Sequence, residues 1–278
     1  MTFPFLLALL GLGIAVTAFV AAMVLLWRHQ ERVVFQPPRP APPLGAGSVA
    51  GFRQYAADDG QSLHAYLVGA PGAGRPFVIA FHGNADLAEW LLPWARELHA
   101  RTGASVFLPE YRGYGGLEGR PTYPGTQLDA RAALRVAQTE FGVPNSRLVL
   151  FGHSLGSAVA AELAAVAPPA ALVLQSPFTS ARAMASRLLF PAAPVLWTRF
   201  SRVHFDTCAR VGDIATSVFV AHGDRDRVIP LAMGRRVYAA ARSRGQLLVV
   251  PGAGHNDVPD VGQQDYWDWL STAVSRGQ

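Results

Sequence analysis

The stretch RLVLFGHSLGSAVAAELAAVA, residues 147–167, sets a short apolar β-type run, a Gly-His-Ser-Leu-Gly turn and an alanine-rich helix in direct succession. This is GxSxG in strand-turn-helix context, the arrangement that lifts a serine hydroxyl out of the end of a sheet at a helix N-terminus. Strand and helix nearly collide at such a turn, so the positions two before and two after the serine must lack bulk. Gly152 and Gly156 meet that need. Ser157, Ala158, Ala160 and Ala161 let the helix lie close to the sheet. A glycine-rich turn with a capping serine would read the same way in isolation. The context points to Ser154 as a nucleophile.

Working outward toward the C-terminus, SVFVAHGDRDRVIP (217–230) reads as a strand followed by a loop carrying Asp224 and Asp226. QLLVVPGAGHNDV (246–258) reads as the next strand, with His255 in the loop that follows. Serine, aspartate and histidine in this chain order, each at the carboxyl end of a strand, suit a nucleophile, an orienting acid and a general base. Of the two aspartates, Asp226 is preferred because Val-Ile-Pro follows it and starts the next helix, and Asp224 is the reserve. Asp257 is expected to support the histidine loop.

Working outward toward the N-terminus, FVIAF (77–81) is a short run of the kind buried on both faces, and His82-Gly83-Asn84-Ala85-Asp86 follows it. An acyl-transfer site needs backbone N–H groups aimed at the oxygen that becomes negative. Leu155, next to the serine, and Asn84 are the expected donors. His82 could act as a base, but a histidine ending a buried strand more often makes a structural hydrogen bond.

The remaining pattern alternates strands with helices. A hairpin is expected from 51–56 and 62–68 around Asp58-Asp59-Gly60. Helices are expected at 86–101, 126–141, 154–166, 230–243 and 263–275. Strands are expected at 104–109, 147–152, 170–175, 217–221 and 246–250, with irregular structure between 175 and 213. This alternation predicts an α/β fold with a mostly parallel sheet, an antiparallel N-terminal hairpin and helices on both faces.

From Met1 to Trp27 there is no charged side chain. A helix over Phe5–Trp27 would be about 35 Å long, enough for a hydrocarbon core of roughly 30 Å. Trp27, Arg28 and Arg32 stand where interfacial anchors belong. A cleaved signal peptide would need a basic start and a shorter apolar core. The expected organisation is a transmembrane anchor at 1–28, a Pro-rich linker at 29–47 and a hydrolytic domain at 48–278. Arg28, Arg32 and Arg39 follow the span, which by the positive-inside rule puts the domain in the cytoplasm.

The formal charge of +5 comes from arginine alone, since the chain has no lysine, and the arginines are scattered. Nucleic-acid binding is not expected from that distribution. Cys208 is the single cysteine. It excludes an intramolecular disulfide framework and cysteine-based zinc sites. No HExxH spacing occurs, and no metal or cofactor is expected.

His82–Ala85, Tyr111-Arg112-Gly113-Tyr114-Gly115, GHSLG, HGDRDRVIP and GAGHND together resemble the α/β-hydrolase superfamily. More narrowly they resemble its membrane-anchored α/β-hydrolase-domain-containing group, which includes lysophospholipid lipases and protein depalmitoylases. The resemblance covers Val33 to the C-terminus. It implies the α/β-hydrolase fold and a Ser154–Asp226–His255 triad. The depalmitoylases of that group attach through lipidated N-terminal cysteines, which this chain lacks. The resemblance also implies a cap over the site at about 177–213, where Leu188, Leu189, Phe190, Val195, Leu196, Trp197 and Phe200 could line an acyl pocket or pack short cap helices. The expected activity is hydrolysis of carboxylic esters or thioesters, with lipid-like or short acyl substrates. A serine peptidase of the same fold, or a catalytically idle membrane scaffold, is the alternative.

Overall fold

The computed structural model describes residues 3–38, 51–188 and 201–278. Strands β1 (Phe52–Ala56) and β2 (Ser62–Val68) form the antiparallel hairpin that Asp58-Asp59-Gly60 announces. Then come β3 (Phe77–Phe81), β4 (Ser105–Pro109), β5 (Leu148–His153), β6 (Ala171–Gln175), β7 (Ser217–Gly223) and β8 (Ser243–Val250). They make an eight-stranded sheet in the order β1-β2-β4-β3-β5-β6-β7-β8. From β4 to β8 all neighbours are parallel, while β2 pairs antiparallel with both β1 and β4.

The helices are α1 (Phe3–Val34), α2 (Leu92–Thr102), α3 (Tyr123–Thr139), α4 (Leu155–Val166), α5 (Ala181–Leu188), α6 (Thr207–Asp213), α7 (Leu231–Ala240) and α8 (Val258–Val274). Successive side chains of a strand point to opposite faces. In β3, accordingly, Phe77, Ile79 and Phe81 enter one apolar core, and Val78 and Ala80 enter the other. The first core is closed by α3 and α4, through residues such as Ala133 and Val159. The second is closed by α2 and α8, through Leu98, Tyr266 and Leu270. Both faces of the parallel strands are therefore covered, and the catalytic loops have one place left to gather, the carboxyl edge of the sheet.

Some boundaries differ from the sequence reading. The last helix begins at Val258 rather than near 263, with Pro259 in its first turn and no side-chain capping bond from Asp257. A kink at Gln263, with φ 44°, marks where two helical pieces join. Strand β8 begins at Ser243, which pairs with Ser217, so α7 ends at Ala240 instead of running to 243.

The N-terminal helix is longer than expected, and it bends by 44° between the arms Leu10–Leu25 and Trp27–Val34. Among the described residues no single helix is long and apolar enough to cross a membrane; the two arms together meet the length and composition of a broken span. Leu10, Leu12, Ile14, Val16, Phe19, Val20, Val24 and Leu25 are exposed.

The expected linker at 29–47 also differs where it is described. Phe35 is 2% exposed, sits in the first core and meets Phe205 with ring centroids 6.4 Å apart. Gln30 is buried, and its side chain accepts from the N–H of Arg202 at 2.8 Å. The chain from Gln30 to Gln36 therefore lies against the globular body through Gln30 and Phe35, where the sequence reading expects a linker. Residues 39–47 and the cap positions Leu189, Phe190, Val195, Leu196, Trp197 and Phe200 lie outside the described residues, and the side chain of Leu188 does too.

Candidate active site

Ser154 stands between β5 and α4 at φ 52° and ψ −113°. An L-residue reaches that conformation only when its surroundings force it there. The forcing groups are visible at the flanking glycines. A Cβ on Gly152 would stand 2.1 Å from the carbonyl oxygen of Gly156, and a Cβ on Gly156 would stand 2.1 Å from that of Phe81. The backbone N–H of Ser154 donates to the carbonyl of Gln175 at the end of β6, at 2.9 Å. The turn is thus clamped between β3, β6 and the first turn of α4.

His255 follows β8 and Asp226 follows β7, in loops that reach the same edge. The Ser154 hydroxyl donates to His255 Nε2 at 2.9 Å, and His255 Nδ1–H donates to Asp226 Oδ2 at 2.7 Å. The other carboxylate oxygen of Asp226 accepts from the N–H groups of Val228 and Ile229, at 2.9 and 2.8 Å. His222 adds a contact that sequence reasoning missed, although it opens the HGDRD motif. Its buried Nε2 lies 2.8 Å from the carbonyl of Ile229 and 3.3 Å from Asp226 Oδ2. Two acceptors at one nitrogen require a proton there. Burial acts to raise the Asp226 pKa, but the hydrogen bonds from His222, His255 and Ile229 outweigh it, and the carboxyl is held well below the ordinary carboxylate range.

Asp224 is not brought to the histidine: its carboxylate accepts from the N–H of Gly252 at 2.7 Å. Asp257 accepts from the N–H of Gly254 at 2.6 Å, within the histidine loop. The backbone of His255 is held as well. Its carbonyl accepts from His153 Nε2 at 3.1 Å and from the Ser176 hydroxyl at 3.3 Å. His153 is driven toward its neutral form, down to about 4, by burial first and then by the neighbouring His255.

The loop after β3 lies against Ser154, since a Cβ on Gly83 would stand 3.5 Å from the Ser154 Cβ. The N–H groups of Asn84 and Leu155 have no hydrogen-bond partner among the described residues. His82, in contrast, is fully engaged. Its Nε2 donates to Glu110 at 2.6 Å and its Nδ1 to the carbonyl of Gly83 at 2.8 Å. Burial opposes the charged ring, yet Glu110 carries the His82 pKa upward, and an imidazolium with two acceptors is no base. Glu110 also takes the N–H of Ala88 at 3.0 Å, so it pins both ends of the loop.

The Tyr111–Gly115 loop is anchored in turn through Arg112. Its guanidinium binds Asp129 of α3 at 2.7 Å and Asp59 of the β1–β2 turn at 2.6 Å. Tyr114 then presents its hydroxyl to the Asn84 side chain at 2.7 Å. Among the described residues no group of three or more His, Cys, Asp or Glu could hold a metal ion.

The family described as Serine aminopeptidase, S33 matches residues 72–208. The chain is 36% identical over 249 residues to an uncharacterized protein of Mycobacterium tuberculosis, covering 88% of this chain and 87% of that protein. It is 31% identical over 196 residues to alpha/beta hydrolase domain-containing protein 17B of Homo sapiens, covering 70% of this chain and 65% of the human protein. Among solved structures, an esterase from Pyrococcus furiosus superposes with a TM-score of 0.67 at 18% identity, over 87% of this chain and 98% of that one. A membrane phospholipase A described as a bacterial virulence factor superposes with a TM-score of 0.59 at 19% identity, over 98% of this chain and 99% of that one. A sheet with an antiparallel leading edge, the elbow at the end of β5 and a shared sequence with named hydrolase-domain proteins lead to one assignment: the chain belongs to the α/β-hydrolase superfamily.

Proposed function

We propose that the chain is a membrane-anchored serine hydrolase that cleaves carboxylic esters or thioesters through an acyl-enzyme. The carrying observation is the unbroken relay from Ser154 through His255 to Asp226, at 2.9 and 2.7 Å. In this reading the Ser154 oxygen attacks the carbonyl carbon and its proton passes to His255 Nε2. Asp226 orients the ring and stabilises its charged form. The N–H groups of Asn84 and Leu155 receive the oxyanion. His255 then gives its proton to the departing alcohol or thiol, and water attacks the acyl-enzyme by the same route in reverse.

The exposed apolar side chains of α1 support a membrane anchor, with Trp27, Arg28 and Arg32 at its polar end. An alignment over 98% of this chain takes in α1, and that superposed protein is a membrane phospholipase A. A bilayer tether suits a lipid-like acyl substrate delivered from the membrane, with the hydrolase body on the cytoplasmic side. Peptide hydrolysis is the second reading, and the family's description as a serine aminopeptidase favours it.

Full-length protein in detergent is expected to label at Ser154 with a fluorophosphonate and to hydrolyse p-nitrophenyl acyl esters faster than peptidyl-coumarins. A folded chain that takes no label is a scaffold and ends the enzymatic reading; faster turnover of the peptides replaces the esterase reading with the peptidase.

The acid side of the rate profile follows from Asp226. A carboxyl with a depressed folded pKa contributes stability that is complete above about 3.9 and is lost only as the pH falls through the lower value. Asp226 thus stays ionised across the working range. Between pH 8 and 5, log(kcat/KM) for an ester is expected to fall with a slope no steeper than one. A slope of two would show a second group titrating in the relay.

A further inference from the structure

Asn84 was singled out for its backbone N–H, yet its side chain does something the sequence did not suggest. The carboxamide nitrogen donates to the carbonyl of Val34 at 2.6 Å, and its oxygen accepts from the N–H of Gln36 at 2.8 Å. Val34 is the last residue of α1, and its carbonyl is one of those that a helix end leaves without an internal partner. Asn84 therefore caps α1 from 50 positions away in the chain. Between the two bonded residues, Phe35 is driven into the core against Phe205. The end of the helix is thus held at three successive residues.

The same amide belongs to a loop under strain. Ala85 carries φ 53°, which a non-glycine residue adopts only under constraint. On one side of Asn84, His82 is locked by Glu110; on the other, Ala85 is strained. The carboxamide is the one side chain at the peptide that offers the oxyanion N–H, and its partners are Val34, Gln36 and Tyr114. Two of those three belong to α1 or its immediate tail.

We propose that the end of α1, seated on Asn84, is a positioning element of the oxyanion hole, so that the helix that anchors the chain also sets the geometry of its catalytic loop. This rests on the hydrolase reading above and extends it: displacement of α1 at the bilayer is transmitted to the oxyanion donor through Val34 and Gln36. No covalent bond is made or broken in the transmission. The carboxamide either keeps its partners or loses them, and the N–H behind it moves accordingly.

The test uses the full chain in detergent micelles, with active sites counted by fluorophosphonate titration. Asn84→Ala keeps the backbone N–H and removes the cap together with the hydrogen bond from the Tyr114 hydroxyl. Its kcat on p-nitrophenyl butyrate per titrated serine is expected to fall about 10–100-fold, short of the roughly 100–1000-fold for outright loss of one oxyanion donor. KM should stay within about threefold, and phenylboronic acid, which forms a tetrahedral adduct on the serine, should bind more weakly by a similar factor. Phe35→Ala unseats α1 while leaving every residue of the loop in place, and should lower kcat in the same way; Phe35→Leu serves if the alanine variant does not fold. The double variant decides the coupling: a shared path makes it no worse than the weaker single variant, whereas independent effects multiply. Wild-type kcat in Asn84→Ala, or multiplying effects in the double variant, would overturn the proposal while leaving the hydrolase intact. A wild-type chain that neither labels nor turns over ester overturns the hydrolase reading and this one together.

Discussion

Ser154→Gly is expected to lose ester hydrolysis by about 10⁵–10⁶-fold and yet to melt at a higher temperature than Ser154→Ala, which is equally inactive. The activity loss follows from removing the attacking oxygen, which in a serine triad costs nearly as much as removing the triad altogether. The stability gain follows from the backbone. At φ 52° and ψ −113°, an L-residue is strained by about 1–3 kcal/mol, and glycine is not. Glycine loses more chain entropy on folding, which takes back roughly 0.5–1 kcal/mol. The serine side chain makes no capping bond to α4, and the hydroxyl's bond to His255 is lost equally in the glycine and alanine variants, so the two differ only in the backbone. A net gain of about 0.5–2 kcal/mol should raise the melting temperature by several degrees, given roughly 2–4 °C per kcal/mol for a domain of this size. Ser154→Ala supplies the comparison, since it abolishes activity while keeping the strain. Equal melting temperatures for the glycine and alanine variants would mean that the elbow stores no more strain than the roughly 0.5–1 kcal/mol that glycine's chain entropy takes back.

Gly156→Ala is expected to damage fold and activity at once. Its added methyl would stand 2.1 Å from the Phe81 carbonyl oxygen and 2.6 Å from that of His82, and both are backbone atoms at the end of β3. No rotamer change relieves such a contact. Either α4 lifts from the sheet or β3 shifts, and both movements carry Leu155 and the Gly83–Asn84 peptide away from the place where the oxyanion forms. Overpacking of a core typically costs about 1–3 kcal/mol, and a backbone collision at a buried crossing belongs at or above the upper end. The variant should melt about 6–12 °C lower by calorimetry, or fail to accumulate folded, with kcat reduced by at least about 100-fold in whatever folds. An alanine variant that melts within a degree of the native chain and keeps its rate would contradict the close packing of α4 on β3.

How much of this was legible in advance depended on whether the governing constraint was local. The elbow could be read because Gly152 and Gly156 sit two positions either side of the serine, and the clash they avoid is with each other and the adjoining strand. The order of serine, aspartate and histidine could be read because parallel crossover connections bring successive loops to one edge. The preference for Asp226 over Asp224 matches the geometry for a local reason too: the N–H groups of Val228 and Ile229 turn back onto its carboxylate. What stayed hidden were partnerships across long separations. Phe35 follows an apolar helix and precedes a proline pair, and nothing nearby marks it as a core residue rather than the start of a tether. His222 and His153 carry no role in the sequence reading, because their partners, the Ile229 and His255 carbonyls, are backbone atoms that no side-chain pattern reports. The early start of α8 is hard to read because 258–262 is a separate helical piece, joined at the Gln263 kink to the helix that the periodicity predicts from 263.

The grip of His153 and Ser176 on the His255 carbonyl bears on the timing of turnover. With its main chain fastened to the turn that carries the nucleophile and to the end of a central strand, the imidazole has only its own ring torsions left to use. In the proposed mechanism the proton taken from the serine would therefore travel to the departing group by a small rotation of one ring, with no loop excursion between the two transfers. An enzyme built this way keeps its slow motions for substrate entry and product escape, and runs the chemical steps on a rigid frame.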